Sequence, residues 1–232
     1  METPQTEEET FFICFKFVTG NISEMAILPV FNSLSHFSPI RLPISPNAIY
    51  IYRQDFFTVD FSKLDMDENI ANTTKAVDIL SVMNVGVEGE IGHIGAAADG
   101  VPTDYTTVEE AKKYVDGTGV AALAIAVGTA HGRYKQAPVL QIERIKEIKN
   151  EVKIPLVLHG GSGVPDEQIQ QAVAAGIRKI NFGTDLCYSF LDSVFEVDRK
   201  IYAIDLFMKN PIDAVKKFAV SKIQLLGAND RV

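Results

Sequence analysis

From residue 56 onward, short apolar runs alternate with amphipathic stretches, and this alternation restricts the fold more than any other property of the chain. The runs at 57–60, 85–90, 123–127, 156–158 and 179–182 are apolar and bounded by Gly or polar residues. They predict strands buried on both faces, as in a parallel sheet. Between them, 67–83, 107–116, 140–151 and 165–175 carry helical patterning, the last with Pro165 suited to a first helical turn. Strand and helix in strict alternation imply a parallel sheet covered by helices, either an open doubly wound sheet or a closed barrel.

Size limits the number of units. A chain of 232 residues, 47% hydrophobic and 22% charged, buries one sizeable core, so 1–232 is read as a single domain. Within it, 1–55 is a divergent N-terminal part, 56–192 holds the strand–helix units and 193–232 a C-terminal helical part, with a helix expected near 211–226. The balance of 22 basic against 30 acidic residues, formal charge −8, argues against a nucleic-acid partner and for small-molecule chemistry. Cys14 and Cys187 have no metal-ligand spacing; each is expected to be a small buried residue, which fits a cytoplasmic location. The apolar run 11–18 is broken by Lys16, follows the acidic stretch 7–9 and is too short to span a bilayer, so neither signal nor membrane anchor is expected.

The polar residues choose between the two sheet architectures. Asp60, Glu90, His131, His159 and Asn181 each lie at or just past the C-terminal end of a predicted strand, one in each of five successive units. Their intervals of about 20 to 40 residues bracket the ~30 residues that one barrel unit takes. In a (β/α) barrel all five converge on one rim, where that fold carries its chemistry. The expectation is a TIM-type barrel.

His131 closes the run VGTAHG and His159 lies in VLHGGSG. Two imidazoles after neighbouring strands, with acidic residues nearby, suit zinc, for which neutral imidazole is a common ligand and three protein ligands plus one open position are usual. Either histidine alone reads equally well as a hydrogen-bonded structural residue; the pair tilts the reading to metal, while His36 and His93 are read as structural. Gly160, Gly161, Ser162 and Gly163 follow His159, and Asn181, Phe182, Gly183 and Thr184 close the last predicted strand and open a helix. Glycine lets backbone N–H groups approach an anion and a helix N-terminus favours negative charge, so these two loops predict a phosphate site. Loops after the last strands are where such barrels often bind phosphate. The plain alternative is a pair of tight connections.

The stretches VDFS, VEGEIGHIG, AVGTAHGRYK, PLVLHGGSG and KINFGTD resemble, in order and spacing, the strand-end motifs of class II ketose-bisphosphate aldolases, the group that includes fructose- and tagatose-bisphosphate aldolases. The resemblance implies a (β/α)8 barrel whose zinc is held by three histidines, of which His131 and His159 are two. It implies that Gly132, Gly160 to Ser162 and Asn181 to Thr184 hold dihydroxyacetone phosphate, and that Asp60 and Glu90 match the carboxylates of a second metal position. Less closely, 38–50 resembles the second family strand, which puts Ser45 near the aldehyde half of the substrate, and 28–32 the first strand. Pro43 departs from that pattern, since proline cannot donate to a central ladder. The resemblance further implies a phosphorylated ketose as substrate and a homo-oligomer.

One family motif is missing. The third family strand ends in a sequence of the HLDHG kind, with the acid/base aspartate and the third zinc-binding histidine, and nothing here matches it; between Tyr52 and Phe57 there is room for a short link only. About one strand–helix unit is therefore absent, and the barrel is expected to be incomplete, with two open edges. After Glu90, Ala98 stands where the family has a glutamate credited with proton transfer, and Asp99 is its nearest substitute. The resemblance implies an aldehyde-lyase that cleaves a ketose 1,6-bisphosphate to dihydroxyacetone phosphate and glyceraldehyde 3-phosphate. The gaps lead us to expect severely reduced activity, or a degenerate barrel that binds only phosphate or metal. A zinc hydrolase barrel is a weaker alternative, since it calls for further histidines on early strands. No residue distinguishes fructose from tagatose bisphosphate.

Overall fold

The computed structural model describes residues 56–92, 94 and 105–229, and the backbone alone of 12–16 and 25–28. Seven strands form one sheet: β1 (Phe12–Lys16), β2 (Met25–Leu28), β3 (Phe56–Thr58), β4 (Gly86–Ile91), β5 (Ala122–Ile125), β6 (Leu156–Leu158) and β7 (Ile177–Asn181). Six helices accompany them: α1 (Met66–Ser81), α2 (Val108–Thr118), α3 (Ile142–Glu151), α4 (Asp166–Ala175), α5 (Thr184–Phe195) and α6 (Ile204–Leu225). The order across the sheet is β2-β1-β7-β6-β5-β4-β3. β3 to β7 run parallel, each joined to the next through a helix, and form a half-barrel.

The five expected units are all present, but the N-terminal part differs from expectation. The strand beside β7 is β1, within the apolar run 11–18, in parallel register with Cys14 opposite Asn181. Of the segment 28–32, expected as the first strand, only Leu28 is among the described residues; it ends β2, and β2 runs antiparallel to β1. The reason is chain length. Only residues 17–24 separate β1 from β2, whereas a parallel crossover needs a dozen or more. Among the described residues β3 pairs only with β4, so the sheet ends at β3 and β2 and does not close.

Strand alternation gives the sheet two faces of opposite character. Val87, Ile91, Leu123, Ile125, Leu156, Leu158 and Ile180 face the helices and build the main core with Ala111, Ile145, Ile148, Ile169 and Ala172. The other, inner face carries a small apolar cluster of Ala122, Ala124, Val157 and Phe56, and beside it a row of buried charges. Local signals fix the helices. Asp65 caps α1 by accepting from the Glu68 N–H. Thr107 and Glu110 form a capping box on α2, which ends at left-handed Gly119.

Two further expectations need correction. The C-terminal helix starts at Ile204, so Pro211 lies inside α6 and not at its start; its neighbours keep the helical turn although proline donates no bond there. Cys187, expected to be buried, is exposed on α5, because its position falls on the face of that helix away from Leu186 and the core. Among the described residues no helix is long and apolar enough to cross a membrane.

Candidate functional site

Alternate residues of a strand share a face, so Glu88 and Glu90 of β4 both point into the inner side of the half-barrel. Both are buried, at 0% and 3% exposure. Carboxylates at such depth persist only when paired. His159, immediately after β6, supplies both with a partner: its Nε2 lies 2.9 Å from Glu88 Oε1 and its Nδ1 2.8 Å from Glu90 Oε2. Lys179 of β7 completes the row. Its Nζ is 2.8 Å from Glu88 Oε2, an ion pair without hydrogen-bond alignment, and donates to Oε1 at 3.1 Å. Thr58 of β3 adds a longer bond to Glu88 Oε1, at 3.3 Å.

These contacts reverse what burial alone does. Burial pushes the Glu88 carboxyl up, but the His159 hydrogen bond and the Lys179 charge outweigh it and hold the group at about 2. Burial disfavours the charged His159 ring, but hydrogen bonds and negative charge from Glu88 and Glu90 raise it to about 9. The row Lys179–Glu88–His159–Glu90 is thus a continuous chain of paired ionisable side chains held out of water.

His131 follows β5 and is exposed, with its ring centroid 6.0 Å from that of His159. Two imidazoles bound to one tetrahedral zinc through ~2.0–2.1 Å bonds stand roughly 5 Å apart between centroids, so the pair is close to a shared-metal spacing. Glu90 brings a carboxylate oxygen to 2.8 Å from His159 Nδ1. His131, His159 and Glu90 are residue types that zinc takes, but both ring nitrogens of His159 face carboxylates, so metal binding there would require His159 to give up one of these contacts and a proton. As the side chains stand, however, no group of three or more His, Cys, Asp or Glu residues among the described residues encloses a metal position. Asp60, at the end of β3, is exposed, and its Oδ1 accepts from both the N–H and the hydroxyl of Ser62. Ser45, His36, His93, Ala98 and Asp99 lie outside the described residues.

The glycine loops lie beside the histidines. Gly132 and Gly160, each directly after a histidine, have φ of 103° and 68°, in the region that favours glycine. The Gly161 N–H donates to Asn181 O at 3.0 Å, which ties the two loops together. Ser162 Oγ accepts from the Asp185 N–H in the first turn of α5 at 3.1 Å, and the Asp185 carboxylate accepts from the Gly163 N–H at 2.9 Å. The Ser162 hydroxyl still has its proton to donate. Gly183 and Thr184 sit at the N-terminus of α5, where helix geometry leaves N–H groups without intrahelical partners. Asn181 shares the inner face with Lys179, and its Oδ1 is buried with no partner among the described residues, as is Thr129 Oγ1 two residues before His131. Phe182 differs: its side chain is fully buried in the core, edge-on to Phe218, and its ring backs the loop at Gly161, where a Cβ lies 3.2 Å from it.

Three residues of this site escaped the sequence reading. Glu88 had a visible signal, a second carboxylate two places before Glu90 in an otherwise apolar strand. Lys179 had the matching one, two places before Asn181. Tyr134, whose hydroxyl lies between the loops that carry the two histidines, had none, because its partners are main-chain atoms.

Comparison with known proteins gives a consistent result. The family model for class II fructose-bisphosphate aldolase matches residues 52–231. YdjI, an uncharacterized protein of Escherichia coli strain K12, is 33% identical over 229 residues, which is 96% of this chain and 80% of that protein. The crystal structure of the YdjI aldolase gives a TM-score of 0.69 at 34% identity over 76% of this chain and 62% of that one. Fructose-bisphosphate aldolase from Campylobacter jejuni gives a TM-score of 0.63 at 22% identity over 76% and 61%, a likeness of fold alone. The chain therefore spans less than two thirds of the length of these solved structures.

Proposed function

Because the chain belongs to the class II fructose-bisphosphate aldolase family, we propose that it is a zinc-dependent lyase acting on a phosphorylated ketose, built on a (β/α)8 barrel that lacks about one unit. The observation that carries this reading is His159 held between buried Glu88 and Glu90, with the His131 ring 6.0 Å away. In this reading His131, His159 and Glu90 hold the metal, and Asp60 with Glu90 marks a second metal position. Zinc there supplies Lewis-acid polarisation of the substrate ketone. The chain supplies the rest. Gly160 to Ser162 and Gly183 to Thr184 present backbone N–H groups and the Ser162 hydroxyl to one phosphate, with the α5 N-terminus favouring its charge. Gly132 lets the chain pass close to that phosphate, and the buried Asn181 amide orients the neighbouring hydroxyl. Ser45 serves the aldehyde half. Glu88 and Lys179 keep His159 in place from below the rim.

The reaction is the reversible cleavage of a ketose 1,6-bisphosphate, fructose or tagatose, to dihydroxyacetone phosphate and glyceraldehyde 3-phosphate. The acid/base carboxylate is the part the sequence lacks, and such a group is worth about 10²- to 10⁴-fold in rate. A second reading, a barrel that binds phosphate or metal without turnover, is favoured by that missing motif. One experiment separates the two: zinc content and fructose 1,6-bisphosphate cleavage by the purified chain and by His131→Ala and His159→Ala variants. About one zinc per chain that is lost in both variants, together with metal-dependent release of dihydroxyacetone phosphate, supports the lyase. Zinc binding without cleavage selects the second reading, and no zinc binding removes the metal site.

A further inference from the structure

We propose that Tyr134 is a positioning residue that sets the distance between His131 and His159, by clasping the residue before the first histidine to the residue after the second. The proposal rests on the reading that these two histidines share a metal ion. Tyr134 Oη accepts a hydrogen bond from the Ala130 N–H at 2.7 Å and lies 2.9 Å from Gly160 O and 2.7 Å from Ala130 O. Its single proton is available to either carbonyl, so the hydroxyl sits at the meeting point of both loops. The loops touch main chain to main chain at this point: a Cβ on Gly160 has no room against the Ala130 carbonyl. The Tyr134 ring packs on Gly163, where a Cβ at that glycine lies 3.1 Å from the ring.

Such a clasp is needed because of the glycines. Each histidine is followed by a glycine at positive φ, a residue that leaves its segment more conformational freedom than any other. A pair of ligands on two such loops keeps a fixed spacing only where a contact between the loops imposes one. His159 is fixed on its own side by Glu88 and Glu90; Tyr134 transmits that fixed position across to the loop of His131. Burial raises the Tyr134 phenol above its ordinary value, so the hydroxyl remains a neutral donor at working pH.

The test uses the full chain as wild type, Tyr134→Phe, His131→Ala and His159→Ala. Zinc affinity is measured by competition with a chromophoric chelator, and the visible absorption of the cobalt(II)-loaded protein reports the ligand geometry. Tyr134→Phe is expected to bind zinc about 10-fold more weakly, the low end of the range for losing a direct partner of a ligand because Tyr134 acts through the main chain beside each histidine, and to change the cobalt spectrum. A purely structural tyrosine lowers the unfolding midpoint but leaves the cobalt spectrum of the folded fraction unchanged. Wild-type affinity and spectrum in Tyr134→Phe overturn the proposal alone. Wild-type affinity in both histidine variants overturns the shared-metal reading, and the proposal with it. Should Tyr134→Phe fail to fold, amide hydrogen exchange on the wild type decides: the Ala130 N–H is expected to be protected, and exchange at the rate of an open loop overturns the clasp.

Discussion

The Lys179 ammonium crosses the inner face of the sheet from β7 to reach Glu88 on β4, and neither side chain is more than 7% exposed. Removing one member of such a pair strands the other charge in a medium that cannot solvate it. Lys179→Met is therefore expected to lower the unfolding free energy by about 3–5 kcal/mol. Adding Glu88→Gln, which removes the stranded charge and keeps an acceptor for His159, is expected to recover part of the loss. Urea denaturation of the two variants, at fixed pH and with chelator present, checks both. At this scale the sequence was half legible. His131, His159 and Glu90 stand out because imidazole and carboxylate at strand ends imply chemistry. Glu88 and Lys179 sit inside strands, where a charge draws notice only if the face it points to is known.

Strand β4 is held from behind by the two helices that flank it. Asn69 of α1 donates to Glu90 O at 2.9 Å, and its Oδ1 lies 3.1 Å from both the Thr73 hydroxyl and the hydroxyl of Tyr114 of α2, which are 2.8 Å from each other; the two hydroxyl protons are shared among these three oxygens. The Tyr114 ring lies directly over Gly89, where a Cβ falls 2.5 Å from its hydroxyl. The glycine between Glu88 and Glu90 is thus required by the helix behind the strand. Burial is the main reason the Tyr114 phenol rises to about 12. A raised folded-state value means stability fully present below the ordinary value of 10 and lost as pH climbs toward 12. Tyr114→Phe is expected to cost about 1 kcal/mol at pH 8. It is also expected to lose less stability than wild type between pH 8 and 11, as read from urea midpoints at the two values. Elements β3 to β7 with α1 to α4 were legible because period and punctuation are local. The β1–β2 hairpin was not, since an apolar run states that it is buried but not which strand lies beside it.

For the molecule as a whole, the sheet of described strands has two edges, and the β3 edge carries Phe57 at 48% exposure. A hydrophobic strand edge is a template for pairing with another chain. The purified chain is expected to self-associate with rising concentration, and Phe57→Lys to weaken that association; sedimentation velocity across a tenfold concentration series tests it, and equal association by both proteins removes β3 as the cause. The parallel half-barrel was legible from the rim residues, which lie one per strand–helix unit at the strand ends.

The parallel neighbour of β1 in the sheet is β7, although more than 160 positions separate them in the chain. Pairings of such long range form late, because closing a large loop costs entropy before any contact rewards it. During synthesis, residues 12–16 leave the ribosome long before their partner strand exists, and the units from β3 to β6 can be assembled while they wait. β1 is then made well before it can be placed, and the interval in between leaves the chain open to misassembly.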